Sequence, residues 1–422
     1  MKNTVFSSAD ILLPPYSSND PRWENYGVIA CDQFTSEPEY WERAEALVGG
    51  APSALRLILP EVYLDKTEQR VPVINATMRE YLDGVLLEHK NSMIYLERTQ
   101  SDGKVRRGLI GKIDLEAYDY KKGATSPVRA TEGTVAERIP PRVAIRRDAA
   151  LELPHVMVLI DDGDKTVIEP LAERKGALRV AYDFDLMLGG GHVSAWFLDD
   201  ADTSRVLGAL EALEAPGTMK ARYGVDAAPL TFAVGDGNHS LASAKAAYEE
   251  VKAAIGAEAA KDHPARYALV ELVNLHDAAL EFEPIYRVLF GVDPMDVMNA
   301  FEAYAASLDG AADAQSVLCV GSFEDRTVRV KHPVSQLTVG TVGDFIDEYL
   351  KTHTEASVDY IHGIESTRKL AARADAIGFL FDGMAKNQLF KAVICDGALP
   401  RKTFSMGHAE DKRYYLECRK IK

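Results

Sequence analysis

The sequence predicts a mixed α/β protein with mixed sheets, in which a strand, a glycine-rich turn and a helix form an anion site and a smaller C-terminal α+β lobe follows. Apolar strand patterns alternate with helical ones before residue 290, and the pattern changes after that point. The 422 residues are 47% hydrophobic and 27% charged, which is typical of a globular chain with an ample core. We therefore expect two domains, 1–290 and 291–422.

Element signals are clear in several parts of the first domain. From Leu241 to Ile255, apolar residues recur at three- and four-residue steps, which predicts an amphipathic helix that ends near Gly256. The other predicted elements are, in chain order, a strand at Tyr26–Cys31, a helix at Glu37–Leu47, a strand at Leu55–Leu59, a helix at Thr77–His89, a hairpin of Met93–Arg98 and Val105–Ile113, and strands at Val156–Ile160 and Ala265–Asn274.

The second domain is predicted from a shorter alternation of helix and strand patterns. These patterns cover Asp293–Ser307, Ser316–Phe323, Arg326–His332, Val342–His353 and Val358–Ile361. The boundary is placed near residue 290, and the C-terminal loop 400–408 is a candidate to return to the site of the first domain.

Charge and composition exclude some classes of partner. The formal net charge of -16 repels a polyanion, so nucleic acid is not expected as a partner. Nowhere do eighteen apolar residues run together and no apolar leader is visible, so we expect a cytoplasmic protein without a membrane partner. The four cysteines lie far apart in the sequence, which favours free thiols. The expected partner is a small anionic ligand or metabolite, and the oligomeric state is left open.

The segment 231–240 is the strongest candidate site. An apolar run stops at a turn of small and polar residues, and a helix pattern starts at once. Backbone N–H groups and the dipole at a helix start attract anions, phosphate or carboxylate above all. Gly235 and Gly237 can adopt positive φ, Asp236 and His239 supply catalytic groups, and Asn238 and Ser240 are ligand-binding candidates. The alternative is that Asp236 and Asn238 merely cap the helix.

A second candidate segment surrounds Gly133. Arg129 and Arg138 can bind phosphate or carboxylate oxygens, Thr131 offers a hydroxyl, and Glu132 can accept a proton from a substrate hydroxyl. The alternative is a solvated loop whose arginines and glutamates pair with each other.

Two further loops carry polar groups suited to an anion. Arg401 and Lys402 form a basic island near the C-terminus of an acidic chain. Asp32 and Gln33 follow a predicted strand, where α/β folds commonly bind ligands, although a buried, unreactive Cys31 is the commoner situation there. The histidines show no metal-ligand spacing, so no metal ligand is assigned.

Four strings together resemble one bacterial family, catalogued as domain of unknown function 1015, from about residue 10 to the end. They are residues 30–34 with 38–41, residues 129–134, residues 235–240 and residues 400–407. The Asp236–His239 string also resembles the phosphate-cradling turn of the ParB-like and sulfiredoxin-like superfamily, which includes free serine kinases. This chain has Ser240 where that pattern has arginine, so other cations would have to replace it.

The resemblance and the residues lead to a first hypothesis of an enzyme that binds a nucleotide or phosphorylated small molecule and transfers a phosphoryl group to a small hydroxylated metabolite. ATP or ADP with Mg²⁺ is the expected cofactor, because phosphoryl transfer depends mainly on positioning and charge neutralisation. A non-catalytic metabolite sensor is the second hypothesis. A hydrolase or isomerase of a carboxylated substrate, using Glu132 and His239, is the third.

Overall fold

A computed structural model describes residues 5–133, 139–215, 217–407 and 409–422. The fold is mixed α/β, as predicted, with one large sheet of parallel and antiparallel strands and a second, smaller sheet. The chain divides into two units. Unit 1 comprises Met1–Ala130, Thr134–Leu280 and His408–Lys422, and unit 2 comprises Thr131–Gly133 and Glu281–Gly407.

Unit 1 is built on the large sheet. The strands of unit 1 as far as Leu280 are, in chain order, β1 (Phe6–Ser7), β2 (Ala9–Leu13), β3 (Val28–Ile29), β4 (Leu87–Ser92), β5 (Ile94–Thr99), β6 (Val105–Asp114), β7 (Tyr118–Asp119), β8 (Val128–Ala130), β9 (Leu151–Glu152), β10 (Val156–Ile160), β11 (Arg179–Asp185), β12 (His192–Phe197), β13 (Phe232–Asp236) and β14 (Tyr267–Asn274), of which β2, β3, β4 and β9 lie outside the large sheet. Within the described residues the sheet has ten strands in the order β11-β12-β5-β6-β14-β10-β13-β8-β7, with β1 beside β6.

The sheet of unit 1 is covered on both faces. Neighbouring residues of β5 alternate between two hydrophobic clusters, since Ile94 and Leu96 belong to one and Tyr95 to the other. The helices of this unit are α1 (Trp23–Tyr26), α2 (Pro38–Val48), α3 (Thr67–Gly84), α4 (Ile139–Arg147), α5 (Leu171–Arg174), α6 (Asp200–Leu213), α7 (Thr218–Tyr223), α8 (Asn238–Ile255) and α9 (Ala257–Ala260).

Unit 2 has its own sheet and helices. Its strands are β15 (Phe282–Phe290), β16 (Gln315–Gly321), β17 (Arg326–Val330), β18 (Ser357–His362), β19 (Ala376–Leu380) and β20 (Phe404–Met406), and its helices are α10 (Pro294–Ser307), α11 (Thr338–Tyr349), α12 (Ile364–Ala371) and α13 (Gln388–Asp396). The strand order is β17-β16-β19-β15-β18, with β20 beside β15.

After unit 2, the chain re-enters unit 1 as β21 (Tyr414–Tyr415) and β22 (Arg419–Lys420). These two strands pair antiparallel with β3 and β9. The predicted boundary near residue 290 falls at the end of β15, whereas the observed division lies between Leu280 and Glu281. Pairing of the C-terminal strands with unit 1 also divides the segment 291–422, which we had expected to form one lobe.

Two element predictions differ from the structure for local reasons. Leu55–Leu59 was expected to be a strand, but Ala54–Leu57 forms a 3₁₀ turn because the Ser53 hydroxyl accepts a hydrogen bond from Leu55 N at 3.2 Å. The helix predicted at Thr77–His89 begins at Thr67 and ends at Gly84, since the following residues pair as β4 with β2. In the described part of the chain, no helix has the length and apolar composition needed to cross a membrane.

Candidate functional site

The site predicted at 235–240 begins where β13 leaves the sheet. This strand lies between β10, which is antiparallel to it, and β8, which is parallel. The β10 register shifts so that Met157 faces Asp236 and Val158 faces Val234, which makes Gly235 the extra residue of a β-bulge. A Cβ on Gly235 would lie 2.8 Å from a Leu159 side-chain atom, so glycine allows this close packing.

Gly237 forms the turn between β13 and α8. Its φ of +80° is in the left-handed region, whereas Gly235, contrary to expectation, has no positive φ. A Cβ on Gly237 would lie 2.9 Å from His155 Cδ2 and 3.1 Å from Val156 Cα. Because the N-cap residue is glycine, it has no side chain to accept hydrogen bonds from the first turn of this 18-residue helix.

Asp236 is held between the turn and a lysine from the C-terminal segment. Its Oδ1 accepts a hydrogen bond from Gly237 N at 2.8 Å, and its Oδ2 lies 3.2 Å from Lys412 Nζ. Both side chains are partly exposed, at 31% and 20% of their surface. A carboxylate and a cation reachable from solvent therefore lie together at the start of α8.

A second acid and base lie against the same turn. His155, the residue before β10, places Nε2 3.5 Å from Asp32 Oδ2. Gln33 Nε2 donates to Asp32 Oδ1 at 2.8 Å. The His155 side chain is 13% exposed and that of Asp32 is 30% exposed, so the pair is open to solvent on the aspartate side.

The charges of this pair support each other. Burial alone would raise the pKa of Asp32, but His155, Gln33 and Lys412 outweigh burial and hold that pKa well below its usual range. Burial alone would lower the pKa of His155, but Tyr415, Asp32 and Cys31 outweigh it and hold that pKa well above its usual range. At neutral pH the pair is therefore an aspartate and an imidazolium, and the charge of Lys412 acts on both Asp32 and Asp236.

The C-terminal segment is fixed in this position by Arg413. The guanidinium donates to Pro154 O at 3.3 Å and to Glu417 Oε2, and Nη1 lies 3.4 Å from Glu271 Oε2. Its carbonyl accepts a hydrogen bond from Ala30 N at 2.8 Å. Arg413 therefore joins the residues before Cys31 and before His155, which places Lys412 and Tyr415 beside the turn.

Asn238, His239 and Ser240 form the first turn of α8, so the helix begins before Leu241, where the apolar pattern starts. Asn238 is buried and its Nδ2 donates to Val234 O at 3.4 Å. His239 and Ser240 are half-buried, and the His239 carbonyl accepts a hydrogen bond from the Ser243 hydroxyl at 2.7 Å. All three lie directly after the Asp236–Gly237 turn.

Arg129 lies in β8, the parallel neighbour of β13. Its guanidinium is buried and donates to three backbone carbonyls, those of Ser126, Ala228 and Pro229, at 2.8, 2.9 and 3.1 Å. These bonds hold together the loops before β8 and before β13. Its predicted role as an anion ligand would require the guanidinium to leave carbonyl partners that it holds in the fold.

Four predicted residues belong to unit 2, where two short segments meet. Glu132 forms an isolated parallel bridge with Leu399, and Leu399 N donates to Thr131 O at 2.6 Å. Arg401 Nη2 donates to the Tyr360 hydroxyl at 2.6 Å, and Lys402 has a φ of +55°. The polar segment after β8 and the basic island are thus neighbours within unit 2, while Arg138 lies outside the described residues.

Sequence reasoning missed His155, Lys412 and Tyr415. The available signals were a histidine directly before the apolar strand Val156–Ile160 and a basic pair directly before two tyrosines. Among the described residues, no group of three or more His, Cys, Asp or Glu side chains could hold a metal ion.

The structure has weak similarity to several solved proteins. A free serine kinase variant in complex with ADP has a TM-score of 0.36 at 11% identity, covering 76% of this chain and 93% of that one. A conserved hypothetical protein from Pyrococcus furiosus has a TM-score of 0.32 at 10% identity, covering 72% and 91%. SbnI from Staphylococcus aureus, truncated at its C-terminus, has a TM-score of 0.32 at 9% identity, covering 74% and 81%.

No curated protein matches the chain. One family model matches residues 14–420, which is nearly the whole chain and includes all four of the strings on which the resemblance rested. The chain belongs to the family described as Protein of unknown function (DUF1015).

Proposed function

We propose that this protein binds a nucleotide or another phosphorylated small molecule at the Gly235–Ser240 turn and transfers a phosphoryl group to a small hydroxylated metabolite. The observation that carries the proposal is the ion pair of Lys412 with Asp236 at the glycine-capped start of α8. A helix start and an ammonium group are two independent sources of attraction for phosphate oxygens. Both lie within unit 1.

In this scheme, phosphate competes with Asp236 for Lys412. An incoming phosphate accepts hydrogen bonds from Lys412 Nζ and from the first turn of α8, with His239 as a further donor. Asp236 is thereby released from Lys412, and its carboxylate orients the acceptor hydroxyl and takes its proton. Glu132 is part of unit 2, so the acid-base role is assigned to Asp236.

The remaining charges suit this chemistry. The His155 imidazolium lies behind Gly237 and adds a positive charge at the turn, while Asp32 keeps the imidazolium in place. A nucleotide brings Mg²⁺ that takes most of its ligands from phosphate and water, so one or two protein carboxylates are enough. Because Asp236 takes the proton, Asp32 is the carboxylate that the described part of this site would offer to the metal ion.

Replacement of Asp236 tests whether the site is catalytic. The protein is incubated with ATP or ADP, Mg²⁺ and a mixture of hydroxylated metabolites, and phosphorylated products are identified by mass spectrometry. Asp236→Asn should lower turnover about 10²-fold or more while nucleotide affinity stays within about tenfold. Asp226→Asn, which changes an exposed aspartate in the loop before β13, is the matched control and should leave both unchanged.

Two outcomes would overturn the proposal in different ways. Nucleotide binding without any phosphorylated product would make the protein a binding module. Absence of both binding and product at millimolar nucleotide, on the order of cellular substrate levels, would show that a nucleotide is not the ligand of this site.

A further inference from the structure

Beside the anion site, four side chains from two distant segments and the C-terminal strand form one hydrogen-bonded group. Cys31 N donates to the Tyr415 hydroxyl at 3.3 Å, and that hydroxyl lies 3.3 Å from Cys31 Sγ. The same hydroxyl contacts His155 Nδ1, while His155 Nε2 faces Asp32. Cys31 is half-buried and directly precedes Asp32. The contacts thus run in series from the thiol to the phenol, then to the imidazole and then to the carboxylate.

The protonation of the group follows from its charges. Because the pKa of His155 is held well above its usual range, both ring nitrogens carry protons at neutral pH. Nε2 then donates to Asp32, and Nδ1 donates to the Tyr415 oxygen. Burial raises the pKa of Tyr415, so the phenol keeps its single proton and is free to donate it to Cys31 Sγ.

We propose that Cys31 is a thiol-modification site for small disulfides and other small electrophiles, and that its modification blocks the adjacent anion site. A cysteine becomes nucleophilic as the thiolate, which positive charge and hydrogen-bond donors stabilise. Here the Tyr415 hydroxyl is the donor and the His155 imidazolium is the positive charge. An ordinary buried and unreactive cysteine, which is the commoner situation, has neither such a donor nor such a charge beside it.

The modification step is thiol–disulfide exchange. Cys31 gives its proton to water, and the thiolate attacks one sulfur of a small-molecule disulfide. A new S–S bond forms to Cys31, the original S–S bond breaks, and the leaving thiolate takes a proton from water. The oxidising equivalent comes entirely from the small disulfide.

The regulatory consequence rests on the proposed function. Asp32 follows Cys31 in the chain and is subject to the charge of Lys412, which pairs with Asp236. A group attached to Cys31 therefore adds bulk directly beside Asp32, a residue on which the charge of Lys412 acts, and should hinder phosphate binding there. Reduction of the mixed disulfide restores the thiol and the site.

Reactivity is tested without reference to any function. The native protein is treated with iodoacetamide, and the modification rate of each cysteine is followed by peptide mass spectrometry. Cys31 should react about tenfold faster than the exposed Cys395, and the buried Cys319 and Cys418 should not react. His155→Gln should reduce the Cys31 rate about tenfold or more without changing the Cys395 rate, which also reports that the variant is folded.

A Cys31 rate at or below that of Cys395 in the unaltered protein would overturn the proposal without any variant. An unchanged Cys31 rate in His155→Gln would also overturn it. The regulatory part is tested by calorimetric titration with ADP before and after treatment with oxidised glutathione. Treatment should weaken ADP binding about tenfold or more, dithiothreitol should restore it, and Cys31→Ser should be insensitive to treatment.

The two proposals fail in distinguishable ways. If Cys31 is reactive and untreated protein does not bind ADP, the proposed function is wrong while the modification site stands. If untreated protein binds ADP and glutathionylated protein binds it equally well, the regulatory inference is wrong while the proposed function stands.

Discussion

At the scale of single residues, Gly237 meets two constraints that no other residue type meets together. Its φ of +80° is unfavourable for any residue with a Cβ, and a Cβ at this position would also meet His155 and the backbone of Val156. The glycine thus allows the turn to lie directly on the histidine. This contact couples the motif at 235–240 to the Asp32–His155 pair.

Gly237→Ala should destabilise the protein by more than its backbone conformation explains. Gly103 has a φ of +81° in an open hairpin turn, so Gly103→Ala measures the conformational cost alone, about 1–2 kcal/mol. Gly237→Ala should cost a further 1–3 kcal/mol or so, because the Cβ must push His155 or β10 aside. Equal losses for the two variants, measured by denaturant unfolding, would contradict the contact.

The His155 imidazolium predicts a particular dependence of stability on pH. Its pKa is raised on folding, so its contribution is fully present below its ordinary pKa, about 6.5, and is lost as pH rises through the folded value. The melting-temperature difference between the native protein and His155→Gln should therefore be largest near about pH 6 and shrink in alkaline solution. A constant difference across this range would show that His155 is not charged in the fold.

These residues also show how far sequence reasoning reached. Asp32, Asp236 and Gly237 stand in turns after apolar strands, and that signal is local enough to be seen in a short window. His155 and Lys412 gain their meaning only from partners far along the chain, Asp32 and Asp236. The apolar strand after His155 and the two tyrosines after Lys412 mark these positions in the sequence, but they do not show which partners lie nearby, so the roles could not be predicted.

At the scale of elements, the same distinction separates α8 from the C-terminal strand. The helix was predicted because its apolar period is a local property, and Leu241, Ala244 and Tyr248 are buried as expected. The strand β21 has only two residues, and its pairing with β3 spans most of the chain. The function of the segment around it in carrying Lys412 and Tyr415 was not predicted.

Arg413, which directly precedes β21, should be the residue of the C-terminal segment on which stability depends most. Arg413→Met leaves Glu417 and Glu271, both fully buried, without one cationic partner, which should cost about 3–5 kcal/mol. Arg147→Met removes an arginine from a half-exposed pair with Glu250 and should cost less than about 1 kcal/mol. A comparable cost for both variants in denaturant unfolding would mean that Arg413 does not hold the segment in place.

At the scale of the whole molecule, unit 1 is assembled from three separate stretches of chain. The fold class was predicted because alternating strand and helix patterns are visible in sequence, and it is confirmed. The return of residues 408–422 to unit 1 was not predicted, since it depends on long-range pairing of β21 and β22. The first and last parts of the sequence therefore belong to one core.

A chain shortened to end at Gly407 should lose the cooperative unfolding of unit 1. It lacks the buried Leu416, Cys418 and Ile421, as well as Arg413, so its core is incomplete and the buried Glu271 loses one of its two arginine partners. Removal of Lys422 alone is the control and should leave the transition unchanged, because this side chain is exposed. Calorimetric scanning measures both, and an unchanged transition in the shorter chain would show that the C-terminal strands are dispensable.

The central claim is that the start of α8 and Lys412 together bind phosphate, and the most direct test is calorimetric titration of the protein with ADP. The native chain should bind with a dissociation constant of about 1 mM or below, and Lys412→Met should weaken binding about tenfold or more, which corresponds to about 1.4 kcal/mol. Lys422→Met, which changes an exposed lysine of the same segment, should have no effect. ADP binding that is equally strong in Lys412→Met, or no binding to the native chain, would contradict the account.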